Sequence, residues 1–404
     1  MKSMKWKLAL LSTATAAILA ACGGGGADQT SQRAGITSVK VMGDSLSDSG
    51  VFKGLPGFGR MFSVQDSASE PNTIWTERIA ALLGTPQLCN FFKSTGTSFI
   101  PNSVTGCTSF AVGGGRINNF NPLTGAGNSP LSIPFQLQTA SAAGNYKSSD
   151  LFLVAGGGND AADLVTAYLA AGTDGGVSFA RMTGTLLPPA TLNPLLAGGQ
   201  TGLAQAGGLY MVALADMFYG SIKTTALDKG AVKVAVLNMP GITNTPRFQM
   251  ALAGVAAAYG GGTAGATARG QAEALFKSWV EAFNAKLATN VAGEKRIVLV
   301  DFYTAFNDQL ANPAQYGLTN VTTPACPPVR DAQGQLVLSG GLPTYNFQTC
   351  TASALSAMTP PPGATGGTNW WQTYAFSDGF HPTPLSYQLL SQLVAKSLAT
   401  AGWL

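Results

Sequence analysis

The strongest constraint on how this chain can fold is the order of its elements. Short apolar runs alternate with long helix-compatible stretches: a strand near Val39, a helix over 73–83, a strand over 151–155, and a helix over 202–226. A strand over 232–237, a helix over 267–288, a strand over 297–301 and a last helix after residue 381 complete the series. Parallel strands can be joined only by crossovers that return across the sheet, so this alternation calls for an α/β domain of three layers, α/β/α, doubly wound around a mostly parallel sheet. Sites in open sheets of this kind form beyond the strand ends. The first strand ends abruptly there: Val39-Lys40-Val41-Met42 breaks into Gly43-Asp44-Ser45-Leu46-Ser47-Asp48-Ser49-Gly50. Ser45 is thereby a candidate nucleophile, although a turn serine that caps the next helix would look the same.

The far end of the chain supplies a partner. His381 is the only histidine, and it stands in Ser377-Asp378-Gly379-Phe380-His381-Pro382-Thr383, just before an apolar run. If Ser45 needs an imidazole to take its proton, there is one choice. Asp378, three residues earlier, is close enough to hold the imidazole N–H and stabilise the imidazolium. Residues 37–404 must then form one unit, because its two ends have to meet.

Four separated blocks, in order, resemble the GDSL-type members of the SGNH hydrolase family. Gly43-Asp44-Ser45-Leu46 is the first, and Ser109-Phe110-Ala111-Val112-Gly113-Gly114-Gly115 the second, with Ser109 where the family usually has asparagine. Gly157-Gly158-Asn159-Asp160 is the third, and Asp378-x-x-His381 the last. The resemblance implies a five-stranded, flavodoxin-like sheet with long irregular loops and a Ser45, His381, Asp378 triad. It also implies an oxyanion hole built from the Ser45 N–H, the Gly114 N–H and the Asn159 amide. The chemistry agrees: acyl transfer builds charge on a carbonyl oxygen, and each fixed donor there is worth roughly 3 kcal/mol. The implied substrate is an ester of a lipid, a polyester or an acylated glycan, with no cofactor and no metal. The alternatives on the same residues are a lipid acyltransferase, a polysaccharide O-acetyl esterase, and a non-catalytic surface lipoprotein that keeps the fold.

The chain opens with Lys2, Lys5 and Lys7, no acid, and an apolar run over 8–21 that is short for a membrane span and suits an export signal. Leu19-Ala20-Ala21-Cys22 resembles a bacterial lipobox, whose cysteine is acylated. The expected organisation is a signal over 1–21, a flexible tether over 22–36 and the hydrolase domain over 37–404. A lipid anchor at Cys22 would attach it to the outer membrane or cell surface; otherwise the protein is secreted. Of the 23 basic and 19 acidic residues, the signal would remove three lysines. The mature chain is then close to neutral and has no basic cluster, which argues against nucleic acid as a partner.

With Cys22 set aside, four cysteines remain: Cys89, Cys107, Cys326 and Cys350. Three connectivities are open. Pairing sequence neighbours closes short loops in Gly- and Pro-rich regions, which an oxidising compartment permits. Segments 52–71, 84–101, 172–200 and 322–368 read as largely irregular. Trp370, Trp371, Tyr374 and Phe376 near the histidine, with Phe58, Met61 and Phe62 after the serine, are either core or the wall of an acyl pocket.

Overall fold

The computed structural model describes residues 35–404 except 66–73, 122, 124 and 143. The expected signal over 1–21, Cys22, most of the tether, and Thr73 lie outside the described residues.

The central sheet is parallel and runs β1 (Ser38–Met42), β4 (Asp150–Val154), β5 (Val234–Leu237), β6 (Ile297–Val300). Its register pairs Val41 with Leu153, Val154 with Val236, and Leu237 with Val300. Among the described residues the sheet has four continuous strands where five were expected. The fifth place, beside β1, is taken by a single bridge: the Val41 N–H donates to the Thr108 carbonyl (3.0 Å), and the Val41 carbonyl accepts from the Phe110 N–H (2.7 Å). That segment turns into the glycine loop too soon to extend into a strand. The resulting order still reverses direction at β1 and β4, which is where a doubly wound sheet opens a crevice.

β4 and β5 are buried along their whole length because helices cover both faces, and their sequences, DLFLV and VAVL, are accordingly almost continuous apolar runs. Alternate side chains feed separate cores. Phe152, Val154, Val234 and Val236 join one cluster with α2 (Ile133–Ala142), α3 (Gly158–Asp174), α6 (Gly199–Thr225) and α8 (Gly262–Val291). Leu151, Leu153, Ala235 and Leu237 join the other with α1 (Trp75–Leu82), α9 (Phe302–Ala311) and α11 (Pro384–Thr400).

The stretch 172–200, expected to be irregular, is mostly helical. After the end of α3 it forms α4 (Val177–Thr183) and α5 (Pro189–Ala197), with Phe179, Met182 and Leu192 buried. Sequence reading also passes over α2, α3 and α9, along with α7 (Pro246–Ala258). The segment 84–101 carries the small antiparallel pair β2 (Phe92–Ser94) and β3 (Phe99–Pro101). The segment 322–368 carries a second pair, β7 (Leu338–Ser339) and β8 (Leu342–Pro343), and the short α10 (Ala352–Ala357).

Two disulfides join sequence neighbours, Cys89 to Cys107 and Cys326 to Cys350. Such bonds form in an oxidising compartment. The second lies within a small cluster of its own, with Val64, Phe347, Leu355, Trp370, Trp371 and Tyr374. Among the described residues no helix is long and apolar enough to cross a membrane.

Candidate active site

Ser45 is placed by the turn that follows β1. The Leu46 N–H donates to Asp44 Oδ1 (3.0 Å) and the Ser47 N–H to the Asp44 carbonyl (3.0 Å), so the chain folds back within two residues. Gln136, fully buried on α2, grips the start of this turn from both sides. Its Oε1 accepts from the Gly43 N–H (2.8 Å), and its Nε2 donates to the Gly43 carbonyl (3.0 Å).

The segment bearing His381 arrives from the other end of the sequence. His381 Nε2 stands 2.8 Å from Ser45 Oγ, and His381 Nδ1 stands 2.8 Å from Asp378 Oδ2. Asp378 Oδ1 accepts the backbone N–H groups of Phe380 (2.7 Å) and His381 (2.6 Å). Both carboxylate oxygens are thus engaged within one tight turn. Ser377 closes the turn by donating its N–H to the His381 carbonyl (2.7 Å) and its Oγ to the Pro382 carbonyl (2.8 Å). Helix α11 begins directly afterwards because Thr383 caps it and Pro384 opens it.

A third loop carries the glycines. The Gly113 N–H donates to Asp48 Oδ2 (2.7 Å) and the Gly115 N–H to the Val112 carbonyl (2.9 Å). The N–H groups of Gly114 and Ser45 have no partner among the described residues, which leaves both free to bind an incoming oxygen. Gly114 has φ +80°, a conformation that favours glycine. At Gly115 a Cβ would come within 2.6 Å of the Gly43 carbonyl, so only glycine lets this loop lie against the serine turn. Asn159, in the first turn of α3, donates one amide hydrogen to the Gly115 carbonyl (3.0 Å) and keeps the other.

These groups surround one serine in the chain order of the four sequence blocks, and the family comparison covers the same span. The model of the GDSL-like lipase/acylhydrolase family matches residues 39–394. The chain belongs to this family. No curated protein resembles it closely enough to count as a match. Membership of the GDSL-like acylhydrolases makes the chain a hydrolase with esters as its class of substrate.

The carboxylates of this acylhydrolase sit in contrasting environments. Burial alone would raise the Asp378 carboxyl, but the facing His381 and the hydrogen bonds to it leave it below the ordinary aspartate value. Asp48 and Asp160 are each pushed up to about 6 by burial, against the pull of their hydrogen bonds. Asp44 is raised by burial as well. Asp48 joins the serine turn to the glycine loop. Its Oδ1 accepts from the Gly50 and Val51 N–H groups (both 2.8 Å) and from Asn90 Nδ2 (3.0 Å). Asp160 accepts from the N–H groups of Ile117 (2.9 Å) and Asn118 (2.8 Å), fastening the far side of that loop to α3.

Sequence reasoning missed Arg116, Asp163, Gln136 and Asn90. Arg116 Nη1 donates to the Gly114 carbonyl (2.6 Å), while its Nε and Nη2 grip Asp163, one turn along α3 from Asn159. A cation directly after three glycines was the available signal. Asn90 brings an amide to Asp48 and accepts from Ser49 Oγ (2.7 Å). It supplies this amide from a neighbouring segment, beside Ser109.

The aromatic expectation divides. Trp370, Trp371, Tyr374 and Phe376 are buried core, and so is Met61. Phe62 lies against the His381 ring at 5.1 Å and Phe347 at 5.8 Å, with Phe52 and Phe58 stacked outside Phe62. A pocket of ≈ 40 Å³ opens at Ser45 itself. A larger cavity, ≈ 840 Å³, lies among α3, α6, α7 and α8 and shares no lining residue with it. Among the described residues no three His, Cys, Asp or Glu side chains gather as a metal site.

Proposed function

We infer that the protein is a serine esterase of carboxylic esters that works through an acyl-enzyme on Ser45. His381 Nε2 takes the Ser45 proton as the oxygen attacks the ester carbonyl, and Asp378 holds the imidazole in orientation and stabilises its charge. The oxyanion is received by the N–H groups of Ser45 and Gly114 and by the free amide hydrogen of Asn159. His381 then gives its proton to the departing alcohol, and water repeats the cycle to release the acid. The observation that carries the reading is the unbroken relay of 2.8 Å contacts from Ser45 through His381 to Asp378 beside two N–H groups with no partner among the described residues. A fluorophosphonate probe tests it: Ser45 should be labelled, and Ser45→Ala should lose label and turnover while still folding. Labelling that survives the substitution would remove Ser45 from the role.

The signal-like segment over 1–21 and the lipobox-like Cys22 support export and a lipid anchor, with 22–36 as tether and 37–404 as the catalytic unit. The anchor reading expects full-length protein to incorporate labelled palmitate and Cys22→Ala to lose it.

A further inference from the structure

The two sides of Ser45 differ in shape. Beyond β4 and β5 lies the ≈ 40 Å³ pocket, walled by Leu46, Ala155, Leu237, Ile242, Phe306 and Phe380. Beyond the bridge on the other side of β1, Phe62 and Phe52 lie against Gly113 and continue outward to Phe58, which is 38% exposed. We propose that the small pocket receives the acyl half of the ester and admits only short, uncharged acyl groups, up to about butyryl, while the aromatic shelf receives the alcohol. The proposal rests on the acyl-enzyme reading above.

Size comes first. A water-sized group needs about 10–15 Å³ of such space, so 40 Å³ holds roughly three carbons beyond the carbonyl. The walls are not free to retreat. Phe306 packs on Phe302 (5.6 Å) and Phe376 (6.1 Å), Phe380 on Phe248 (6.2 Å), and Leu237 and Ile242 are buried in the two main cores.

Charge comes next. The polar side chains of Asn238 and Thr245 along the pocket already have partners. Asn238 donates to Asp301 Oδ1 (2.9 Å) and accepts from the Tyr303 N–H (2.8 Å), and the Thr245 hydroxyl donates to the Ile242 carbonyl (2.7 Å). The lining includes Asp44 and no cation, so an anionic acyl group would meet no partner there.

The order of events assigns the halves. The acyl group stays on Ser45 through the second step, so it can occupy the closed side. The alcohol has to leave and water has to enter past His381, so that half needs the open side, where Phe62 and Phe347 flank the imidazole.

Full-length protein would be assayed on p-nitrophenyl acetate, butyrate and octanoate, and on acetates of methanol, butanol and benzyl alcohol. Up to butyrate, kcat/KM should rise by no more than about fourfold per methylene, the worth of burying one. Each of the first two methylenes beyond the pocket costs about tenfold or more, so octanoate should fall at least 100-fold below butyrate. The alcohol series should stay within tenfold. Phe306→Ala and Ile242→Ala, on different walls, should each raise the octanoate-to-butyrate ratio at least tenfold. If either variant fails to fold, the other and the wild-type length profile still decide. Octanoate hydrolysed as well as butyrate, or a cutoff in the alcohol series instead, would overturn the assignment while leaving the esterase reading intact. Failure to hydrolyse any ester would remove both.

Discussion

Gly115→Ala should disable the site by way of the backbone alone. A Cβ at this position would lie 2.6 Å from the Gly43 carbonyl and 3.0 Å from the Val112 carbonyl. Carbon and oxygen settle no closer than about 3.3 Å, so the loop and the serine turn must part by about 0.7 Å. Neither can yield locally, because Gln136 clamps Gly43 while Asp48 and Arg116 hold Gly113 and Gly114. The Gly115 carbonyl also anchors the Asn159 amide, so the shift reaches two of the three proposed oxyanion donors, the Gly114 N–H and Asn159. A misplacement of about 1 Å can cost 100-fold, which puts the expected loss in kcat at about 30–100-fold. Overpacking of this kind destabilises by about 1–3 kcal/mol. Steady-state kinetics on p-nitrophenyl acetate and urea unfolding measure the two effects. Gly220→Ala on α6 is the control: nothing lies within 4 Å of the added carbon, so stability should rise by about 1 kcal/mol with kcat unchanged. A Gly115→Ala enzyme with kcat within threefold of wild type would refute the claim that this close approach positions the donors.

Asn159→Ala should lower kcat by roughly 100–1000-fold, the loss expected for one oxyanion donor, and leave the acidic limb of the pH–rate profile in place. His381→Ala should remove the limb along with nearly all activity, and an Asn159→Ala profile shifted in pH would instead make Asn159 a positioning residue. Buried Asp48 and Asp160, both raised to about 6, bind protons more tightly folded than unfolded, so their contribution to stability is complete below about pH 4 and lost as pH rises through 6. Thermal melts of Asp160→Asn across that window should show a shallower fall than wild type, and an unchanged slope would contradict the assignment. Replacing Cys326 and Cys350 by alanine opens a loop of 24-residue separation and should cost about 3 kcal/mol. Because Phe347 lies inside that loop and against His381, KM should rise as well, and a variant with lower stability and unaltered KM would detach the loop from substrate binding.

The parts of the fold that could be read from sequence were those whose environment is written in local pattern. β4 and β5 are covered on both faces, so unbroken apolar runs betray them. Ser45, Asn159 and His381 follow sharp changes from apolar to polar chemistry, and the single histidine left no competing base. The helices α4 and α5 escaped notice because Gly and Pro punctuate them, and their stability comes from burying Phe179, Met182 and Leu192, which propensity does not register. Gln136 was hidden for a different reason. Nothing local separates it from Gln138 two residues later, and only the fold turns one toward Gly43 and the other to solvent. Trp370 and Trp371 lay near the histidine in sequence, but the layer stapled by the Cys326–Cys350 bond draws them inward.

The proposed nucleophile and its base stand 336 residues apart in the chain and 2.8 Å apart in the molecule. A ribosome adding about 5–20 residues each second would finish Ser45 roughly 20–70 s before it reaches His381. Through that interval the growing polypeptide carries the proposed nucleophile with no histidine beside it. A product that terminates before His381 carries the proposed nucleophile without its proposed base, and on that reading such fragments do not attack esters. On that reading, reactivity is timed by the synthesis of a residue 336 positions after the serine.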